Sequence, residues 1–401
     1  MDGARVTERP HLVAIRAGAL FDGVSATLMP DPVLVIDGQT IVAAGSGITP
    51  PAGAEVVDLD GATLLPGLID THVHLVFDGS TDPVGRLAAR DDTAALAAMA
   101  AAGQAALRGG ITTVRDLGDR DYLSLSLRGS DDLPTIVAAG PPITTPAGHC
   151  HFLGGSAEPA DDALRAAVRE RADRGVDVVK VMASGGTMTP GTRQEEAQFT
   201  PAQLRVVVEE AHRLGLPVTA HAHGTGAIRD ALDARVDGME HVSFWSADGV
   251  DEPGELARRI VDSRVAVGVT AGVVPVPGLA PPPPVAMRMP RIIANLRSLY
   301  EAGAYLILGT DAGIGPPKPH DVLRHALVQT ASIGMEPATA LRLATSTAAE
   351  ACGLAASKGR LAPGFDADIL AVDGNPLADL TALHNVRAVF ARGVQVVPTR
   401  P

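Results

Sequence analysis

Two histidines, His72 and His74, close an apolar run that reads Leu64-Leu-Pro-Gly-Leu-Ile-Asp-Thr-His-Val-His74. Residues i and i+2 of a β-strand point to the same side, so both imidazoles would project together from the end of such a strand. Imidazole nitrogen is a preferred zinc ligand, and two imidazoles on one side can share an ion. The spacing therefore predicts a metal site here.

Lys180 is one of only three lysines among the 33 cationic side chains of this 401-residue chain. It lies inside the apolar run Val176-Asp-Val-Val-Lys-Val-Met182, where a charged ammonium group is costly to bury. Lysine, unlike arginine, can lose its proton and react as a neutral amine. Such an amine can take up CO₂ to form a carbamate whose two oxygens bridge two metal ions. The alternative is a salt bridge from Lys180 to an acidic residue on a neighbouring strand.

Three further ligand-type residues end later apolar runs. The expected ligands are His72, His74 and Asp311 for one ion and His221 and His241 for the other, with carboxylated Lys180 across both. Two zinc-type ions would lower the pKa of a bridging water and polarise a substrate carbonyl or phosphoryl oxygen. Asp311, next to that water, is expected to take its proton and pass it to the leaving group.

The elements that would position these residues alternate between apolar strands and amphipathic helices. The predicted strands are 63–65, 111–114, 135–139, 176–182, 217–221, 238–241, 265–269 and 304–311. Thr93 is expected to cap a helix ending at Gly109, and Thr200-Pro201 to open one ending at Gly215. Eight such units predict a (β/α)₈ TIM barrel with its catalytic side chains at the carboxyl ends of the strands. An open, doubly wound sheet is the alternative, but the first strand-to-helix turn has no glycine phosphate fingerprint.

Both ends of the chain carry short β-type runs separated by turn residues, with Asp-Gly pairs at 37–38 and 60–61. The simplest arrangement pairs the two ends into one small β-sandwich domain. The expected domains are therefore 1–64 with 357–401 as the sandwich, and 65–356 as the metal-dependent barrel.

This set of residues, in this order along the strands, resembles the amidohydrolase superfamily with a binuclear metal centre. The resemblance covers nearly the whole chain, including Pro66-Gly-Leu-Ile-Asp-Thr-His-Val-His74, Ala340-Leu-Arg-Leu-Ala-Thr-Ser-Thr-Ala-Ala-Glu350 and Gly359-Arg-Leu-Ala-Pro-Gly-Phe-Asp-Ala-Asp-Ile-Leu370. It implies a distorted (β/α)₈ barrel with a β-sandwich built from both termini, zinc or a similar divalent ion, and a carboxylated Lys180.

Within the superfamily the chain looks most like the branch of Xaa-Pro and Xaa-Arg dipeptidases, related carboxypeptidases and ochratoxin-type amidases. That branch carries a Gly-His segment after the third strand, which here is Pro146-Ala-Gly-His149-Cys-His151. The resemblance implies that His149 faces the substrate. His151 and His223 depart from the commonest residues, and His223 stands where a tyrosine is frequent. The alternatives are loop structure for His149 and His151, and a supporting hydrogen bond for His223.

Other candidates for substrate contact are less specific. Arg115 could bind a substrate carboxylate or pair with Asp116. Phe152, Phe244 and Trp245 follow closely on His149 or His241 and are expected to line the pocket. Pro275–Pro284 is expected to be an extended surface loop, with a lid over the site as the alternative. The other histidines, His11, His212, His320, His325 and His384, are read as ordinary, and Lys318 and Lys358 as loop residues.

The composition limits the class of partner. A net charge of −13 argues against nucleic acid or an anionic membrane surface. The two cysteines cannot form a disulfide framework, and neither residues 1–10 nor any later segment supplies an export or membrane-spanning run. We expect a cytoplasmic homo-oligomer that acts on a small molecule.

The reaction indicated most directly is hydrolysis of an amide bond in an N-acyl amino acid or dipeptide. Ring opening of a cyclic amide or deamination at a single ion is one alternative. Hydrolysis of lactones or phosphotriesters can use a similar centre. A catalytically silent scaffold is the reading of a different class, and the complete ligand set argues against it.

Overall fold

The computed structural model describes residues 12–397, so His11 lies outside the described residues. Within them the strands β1 to β17 are Leu12–Leu20, Met29–Pro30, Pro32–Asp37, Thr40–Ser46, Glu55–Pro66, Leu68–Val73, Ile111–Asp116, Thr135–Ala138, Val179–Met182, Val218–Gly224, Gly238–Ser246, Gly249–Val250, Ala266–Thr270, Leu306–Gly309, Ile369–Asp373, Val386–Ala391 and Val394–Val397. The helices α1 to α10 are Pro83–Ala88, Asp92–Arg108, Asp161–Arg174, Pro201–Arg213, Thr225–Ala234, Glu255–Ser263, Pro283–Glu301, Leu323–Gln329, Pro337–Leu343 and Ser346–Ala351.

Eight parallel strands form the centre of the molecule. Strands β6, β7 and β8 pair as one sheet, and β14, β13, β11, β10 and β9 pair in that order as a second. Single parallel bridges join the two sheets, from Val73 to Ala312 on one side and from Ile143 to Val181 on the other. Most strand residues are buried on both faces, as is typical of parallel strands covered by helices. The architecture is α/β of the TIM-barrel type, as predicted.

The first barrel strand is not the one predicted. Residues 63–65 belong to β5, which pairs with β1 and β15 in a different sheet. The chain then passes Gly67, and the barrel strand β6 begins at Leu68. A Cβ atom at Gly67 would lie 2.1 Å from Thr112 Oγ1, so this close approach needs glycine. The apolar run continues from β5 into β6 because each sheet buries its side chains. Hydrophobicity alone therefore does not mark where one strand ends and the next begins.

The strands of the two chain ends do pair with each other. They form one eight-stranded sheet in the order β17-β16-β15-β5-β1-β3-β4, with β2 paired to β1. Successive residues of β1 belong to different hydrophobic clusters. Ala14 packs with Val33 and Val35, whereas Ile15 belongs to the cluster that contains Phe390. Apolar side chains therefore cover both faces of the sheet. A two-layer sandwich and the domain boundaries stay predictions.

The helix ends follow local sequence signals. At α4 the Thr200 hydroxyl accepts from the Gln203 N–H and the Gln203 side chain accepts from the Thr200 N–H, which completes a capping box before Pro201. At α2 the predicted cap was wrong, because Asp91 rather than Thr93 accepts from the helix, at Ala94 N. The run Pro275–Pro284 is loop only as far as Pro282, and helix α7 begins at Pro283. Within residues 12–397 no helix has the length and apolarity needed to cross a bilayer.

Candidate metal centre

The predicted ligands gather at the carboxyl ends of the parallel strands. His72 lies in β6 with His74 just beyond it, Lys180 in β9 and Asp311 two residues after β14. His221 and His223 lie in β10, and His241 lies in β11. This is the end of a TIM-type barrel at which catalytic side chains meet.

His72, His74 and Asp311 form the first donor cluster, with ligand-type atoms all within 4.8 Å of one another. Asp311 Oδ1 lies 3.5 Å from His72 Nε2 and 3.3 Å from His74 Nε2. Ligands at zinc distances of 2.0–2.1 Å are about 3.3 Å apart along the edge of a tetrahedron. Burial alone would raise the pKa of Asp311, but the imidazoles of His72 and His74, the latter also through a hydrogen bond, hold it well below 3.8. The cluster therefore offers a metal ion two imidazoles and a carboxylate.

Each imidazole of this cluster is fixed through its other nitrogen. His72 Nδ1 donates to Glu240 Oε2 at 3.0 Å, and His74 Nδ1 donates to the Gly118 carbonyl at 2.9 Å. Burial and the nearby Lys180 lower the pKa of His72 to about 4, so that ring is neutral. These contacts leave both Nε2 atoms as the ligand nitrogens.

His221, His223 and His241 form the second donor cluster, again with ligand-type atoms within 4.8 Å of one another. His241 Nε2 lies 3.0 Å from His221 Nδ1. The remaining nitrogens are engaged, His221 Nε2 with the Gly185 carbonyl at 3.1 Å and His241 Nδ1 with the Thr270 hydroxyl at 2.8 Å. Burial and neighbouring imidazoles lower the pKa of His221 and His241 well below 6.5, which keeps them in the neutral form that binds metals.

Lys180 is buried, with 1% of its surface exposed, and within residues 12–397 its Nζ has no hydrogen-bond partner. The alternative of a salt bridge to a neighbouring strand is therefore not formed. Burial lowers the pKa of Lys180 to about 8. An unpaired buried amine between two donor clusters fits a residue that is completed by a further group, and the donor set as a whole fits two divalent ions.

Arg115 does not occupy either predicted role. Its Nη2 donates to Glu240 Oε1 at 2.9 Å and its Nε to the Thr71 carbonyl at 2.6 Å, and 4% of its surface is exposed. Asp116 cannot be its partner because adjacent residues of a strand point to opposite faces. Arg115 therefore lies beneath the donor clusters instead of facing a substrate carboxylate.

Glu240 was missed in the sequence. Its carboxylate accepts from His72 Nδ1, Arg115 Nη2 and the Thr219 hydroxyl. Burial would raise the pKa of Glu240, but Arg115 and His72 outweigh burial and hold the pKa far below 4.5. The available signal was a lone glutamate inside the apolar strand Gly238-Met-Glu-His241.

Asp70 lies within the motif of residues 66–74, and no role was predicted for it. Its carboxylate accepts from the Thr310 hydroxyl at 2.6 Å, from Thr310 N at 3.0 Å and from His72 N at 3.2 Å. These bonds tie β6 to the end of β14. They hold the two strand ends that carry the first cluster side by side.

Of the predicted substrate-facing residues, His223 belongs to the second cluster, and His149 lies beside it. Its ring centroid is 4.8 Å from that of His221, and its buried Nδ1 has no hydrogen-bond partner among the described residues. Trp245 is 6.3 Å from His223 and carries the Arg288 guanidinium 4.7 Å from its ring centroid. His151 is exposed, with Nδ1 bonded to the Gly148 carbonyl at 3.0 Å.

The other two candidates for the pocket wall pack on apolar side chains. Phe244 is fully buried in the core, and Phe152 packs on Phe77 at 6.3 Å. The two lysines read as loop residues are engaged as well. Lys318 Nζ donates to the Thr310 carbonyl at 2.5 Å, and Lys358 is buried between Asp366 and Asp368. Lys180 and Lys358 are thus buried, and Lys318 is partly buried.

Unusual backbone conformations accompany the ligands. His241, Val242, Phe244 and Asp311 have φ values of 75°, 44°, 53° and 60°. The left-handed region is costly for side-chain-bearing residues, and most of all for a β-branched one such as Val242. Such strain concentrates at functional sites, where the surrounding structure holds it in place.

The family model whose match covers residues 63–396 is that of the amidohydrolase family. The chain belongs to the amidohydrolase family. Ochratoxinase from Aspergillus niger is 29% identical over 434 aligned positions, which cover 96% of this chain and 85% of that protein. Imidazolonepropionase from Cereibacter sphaeroides is 28% identical over 411 positions, covering 92% of this chain and 94% of that protein.

Solved structures agree with this assignment. An Xaa-Pro dipeptidase with methionine bound in its active site has a TM-score of 0.82 at 27% identity, covering 96% of this chain and 99% of that one. The structure of A. niger ochratoxinase has a TM-score of 0.81 at 26% identity, covering 98% and 96%. The protein is thus a hydrolase of the amidohydrolase family that resembles ochratoxinase and Xaa-Pro dipeptidases, as predicted.

Proposed function

We propose that this amidohydrolase cleaves an amide bond in a small molecule, such as an N-acyl amino acid or a dipeptide, with two divalent metal ions, zinc above all. The observation that carries the proposal is the meeting of two donor clusters and the unpaired Lys180 amine at one end of the parallel strands. The similarity to ochratoxinase and to an Xaa-Pro dipeptidase supports an amide as the bond cleaved.

The proposed ligand sets follow the geometry of the clusters. The residues are His72, His74 and Asp311 for the first ion and His221 and His241 for the second, with carboxylated Lys180 shared between them. Lys180 is suited to carboxylation because only the neutral amine reacts with CO₂, and burial favours the neutral form. The proposed catalytic unit is the barrel of residues 65–356, with the sandwich of 1–64 and 357–401 beside it.

Bound divalent ions lower the pKa of a water molecule and polarise a carbonyl oxygen. Asp311, kept ionised by His72 and His74, accepts the proton of the attacking water and delivers it to the leaving nitrogen. Asp70 and Glu240 take no part in the proton transfer. They hold the strand end and the ring of His72 in place.

The proposed substrate contacts are His149, His151 and Trp245, with His223 as a fourth if it does not bind the second ion. His149 is the strongest of them because its free Nδ1 lies beside the second cluster. Burial lowers the pKa of His149 to about 4, so it would recognise a carbonyl or carboxylate oxygen as a neutral hydrogen-bond donor. Arg115 is not among the proposed substrate contacts, because its guanidinium is bonded to Glu240 and to the Thr71 carbonyl. A small-molecule substrate, a homo-oligomeric state and a cytoplasmic location remain parts of the proposal.

Hydrolysis of a cyclic amide is a second candidate, favoured by the similarity to imidazolonepropionase. It would need a single ion and no Lys180. Metal analysis of the wild-type chain and of Lys180→Met separates the two candidates. Two ions per chain and loss of the second in Lys180→Met are expected for the first candidate, and one ion in both proteins for the second.

The activity test is a screen of the zinc-loaded protein against N-acyl amino acids, dipeptides, cyclic imides, lactones and phosphotriesters, with products identified by mass. Asp311→Asn is the matched inactive control because asparagine has the same shape and tolerates the left-handed backbone at this position. We expect amide products from the wild-type protein and none from the variant. Products from lactones or phosphotriesters alone would refute amide hydrolysis.

A further inference from the structure

The second donor cluster contains one imidazole more than the sequence pattern assigns to it. His221 and His223 are two residues apart on β10 and so lie on the same side of the strand, as His72 and His74 do in the first cluster. The chain thus repeats the His-x-His arrangement, once for each cluster. The ligand-type atoms of His221, His223 and His241 all lie within 4.8 Å of one another.

One ring nitrogen of His223 is engaged, as in the other proposed ligands. Its Nδ1 is bonded to the Ser243 hydroxyl at 2.8 Å, and its backbone N–H donates to the Ser184 hydroxyl at 3.1 Å. Nε2 is therefore the nitrogen available to an ion, just as in His72, His74 and His241, which are also bonded through Nδ1.

We infer that His223 is a third protein ligand of the second ion, together with His221 and His241. This inference rests on the proposed two-ion function. The separation of up to 4.8 Å exceeds the tetrahedral edge of about 3.3 Å. The rings of His223 and His241 are also stacked, with centroids 4.2 Å apart and planes 10° apart, and two parallel rings cannot both direct a nitrogen at one ion. Binding by His223 would therefore require the three rings to draw together and the His223 ring to turn out of the stack.

The inference has a chemical consequence for the choice of metal. The second site would have three neutral imidazoles, whereas the first has two imidazoles and the carboxylate of Asp311. Imidazole suits zinc, copper, nickel and cobalt, whereas magnesium, calcium and manganese prefer oxygen ligands. The second site should therefore discriminate more strongly against manganese than the first.

The experiment uses chelator-stripped protein reloaded with Co²⁺, whose visible absorption reports the number and geometry of its ligands. The variants are His223→Gln, Ser243→Ala and, as a control, His325→Gln on helix α8, which packs against His384 away from the centre. Ions per chain are counted by elemental analysis, the two affinities are measured by competition with a chelator, and thermal melting of the metal-free proteins checks the fold.

We expect His223→Gln to bind the first ion with unchanged affinity and the second ion at least about tenfold more weakly, with a changed absorption spectrum of the second cobalt ion. Ser243→Ala removes only the hydroxyl that orients the His223 ring, so it should lower the affinity for the second ion less. His325→Gln should match the wild type. Two ions bound by His223→Gln with wild-type affinities and spectrum would overturn the inference, and a change confined to KM would then make His223 a substrate contact. Uptake of a single ion by the wild-type chain would instead overturn the two-ion proposal itself.

Discussion

Glu240→Gln changes one atom of a carboxylate that three donors share. Glu240 Oε1 accepts from Arg115 and from the Thr219 hydroxyl, at 2.9 and 2.7 Å, and Oε2 accepts from His72 Nδ1 at 3.0 Å. Glutamine has nearly the same shape but only one acceptor oxygen and no charge. The substitution therefore removes the partner of the Arg115 charge and one of the two acceptors.

Two effects of different size follow. A buried charge that loses its partner costs about 3 to 5 kcal/mol. With an unfolding entropy near 2.1 cal/mol/K per residue, 401 residues give about 0.8 kcal/mol/K, so Tm of the metal-free protein should fall by about 4 to 6 °C. The amide oxygen will stay with Arg115, because hydrogen bonds from charged donors are the stronger ones. The amide NH₂ then faces His72 Nδ1, which drives the ring proton to Nε2, the nitrogen that the first ion needs.

The assay is chelator competition for the first ion, combined with calorimetry of the metal-free protein. We expect the affinity of the first ion to fall 10- to 100-fold, the range for loss of a residue that orients a ligand. Glu210→Gln is the matched control, since the buried Glu210 also pairs with arginines, the half-exposed Arg169 and Arg213, but belongs to neither donor cluster and should leave the ion affinity unchanged. Wild-type affinity in Glu240→Gln would refute the argument from the His72 tautomer, whatever the change in Tm.

Three further predictions concern stability. Gly268→Ala should lower both Tm and the affinity for the first ion, because the added Cβ would lie 2.0 Å from Glu240 Oε2. The control Gly226→Ala in helix α5 adds a Cβ that contacts nothing within 4 Å, so Tm should be unchanged or higher. Burial, reinforced by Asp116, raises the pKa of Asp119 from 3.8 to about 7, so its contribution to stability is full below pH 4 and is lost as the pH rises through 7. Asp119→Asn should therefore gain in Tm over the wild type between pH 5 and pH 8, and a pH-independent difference would contradict this. Lys358→Met leaves the buried Asp368 and the partly exposed Asp366 without their cation and should lower Tm without changing ion binding, as calorimetry and metal titration can check.

The sequence was informative wherever one local pattern carried the physics. His72 and His74 share a side because a strand alternates with period two, and α4 begins at Pro201 because Thr200 and Gln203 cap each other. Lys180 could be singled out because an apolar strand makes an ammonium costly. These features depend on a few neighbouring residues and on no distant contact.

Contacts between segments far apart in the chain could not be predicted from the sequence. Arg115 pairs with Glu240, 125 positions away, and nothing local distinguishes that partner from the adjacent Asp116. The apolar run through Leu64 and Leu65 gave no sign that two sheets divide it at Gly67, because either sheet would bury those side chains.

The types of ligand and their order along the strands were thus determined by the sequence itself. Which nitrogen of each imidazole is free, which acceptor fixes the other one, and the approach of His223 to the second cluster were decided only by the tertiary structure. The reason is that the partners of a ring nitrogen are atoms such as the Gly118 carbonyl and the Ser243 hydroxyl, which the fold brings from other strand ends and loops. A pattern along one strand contains no information about them.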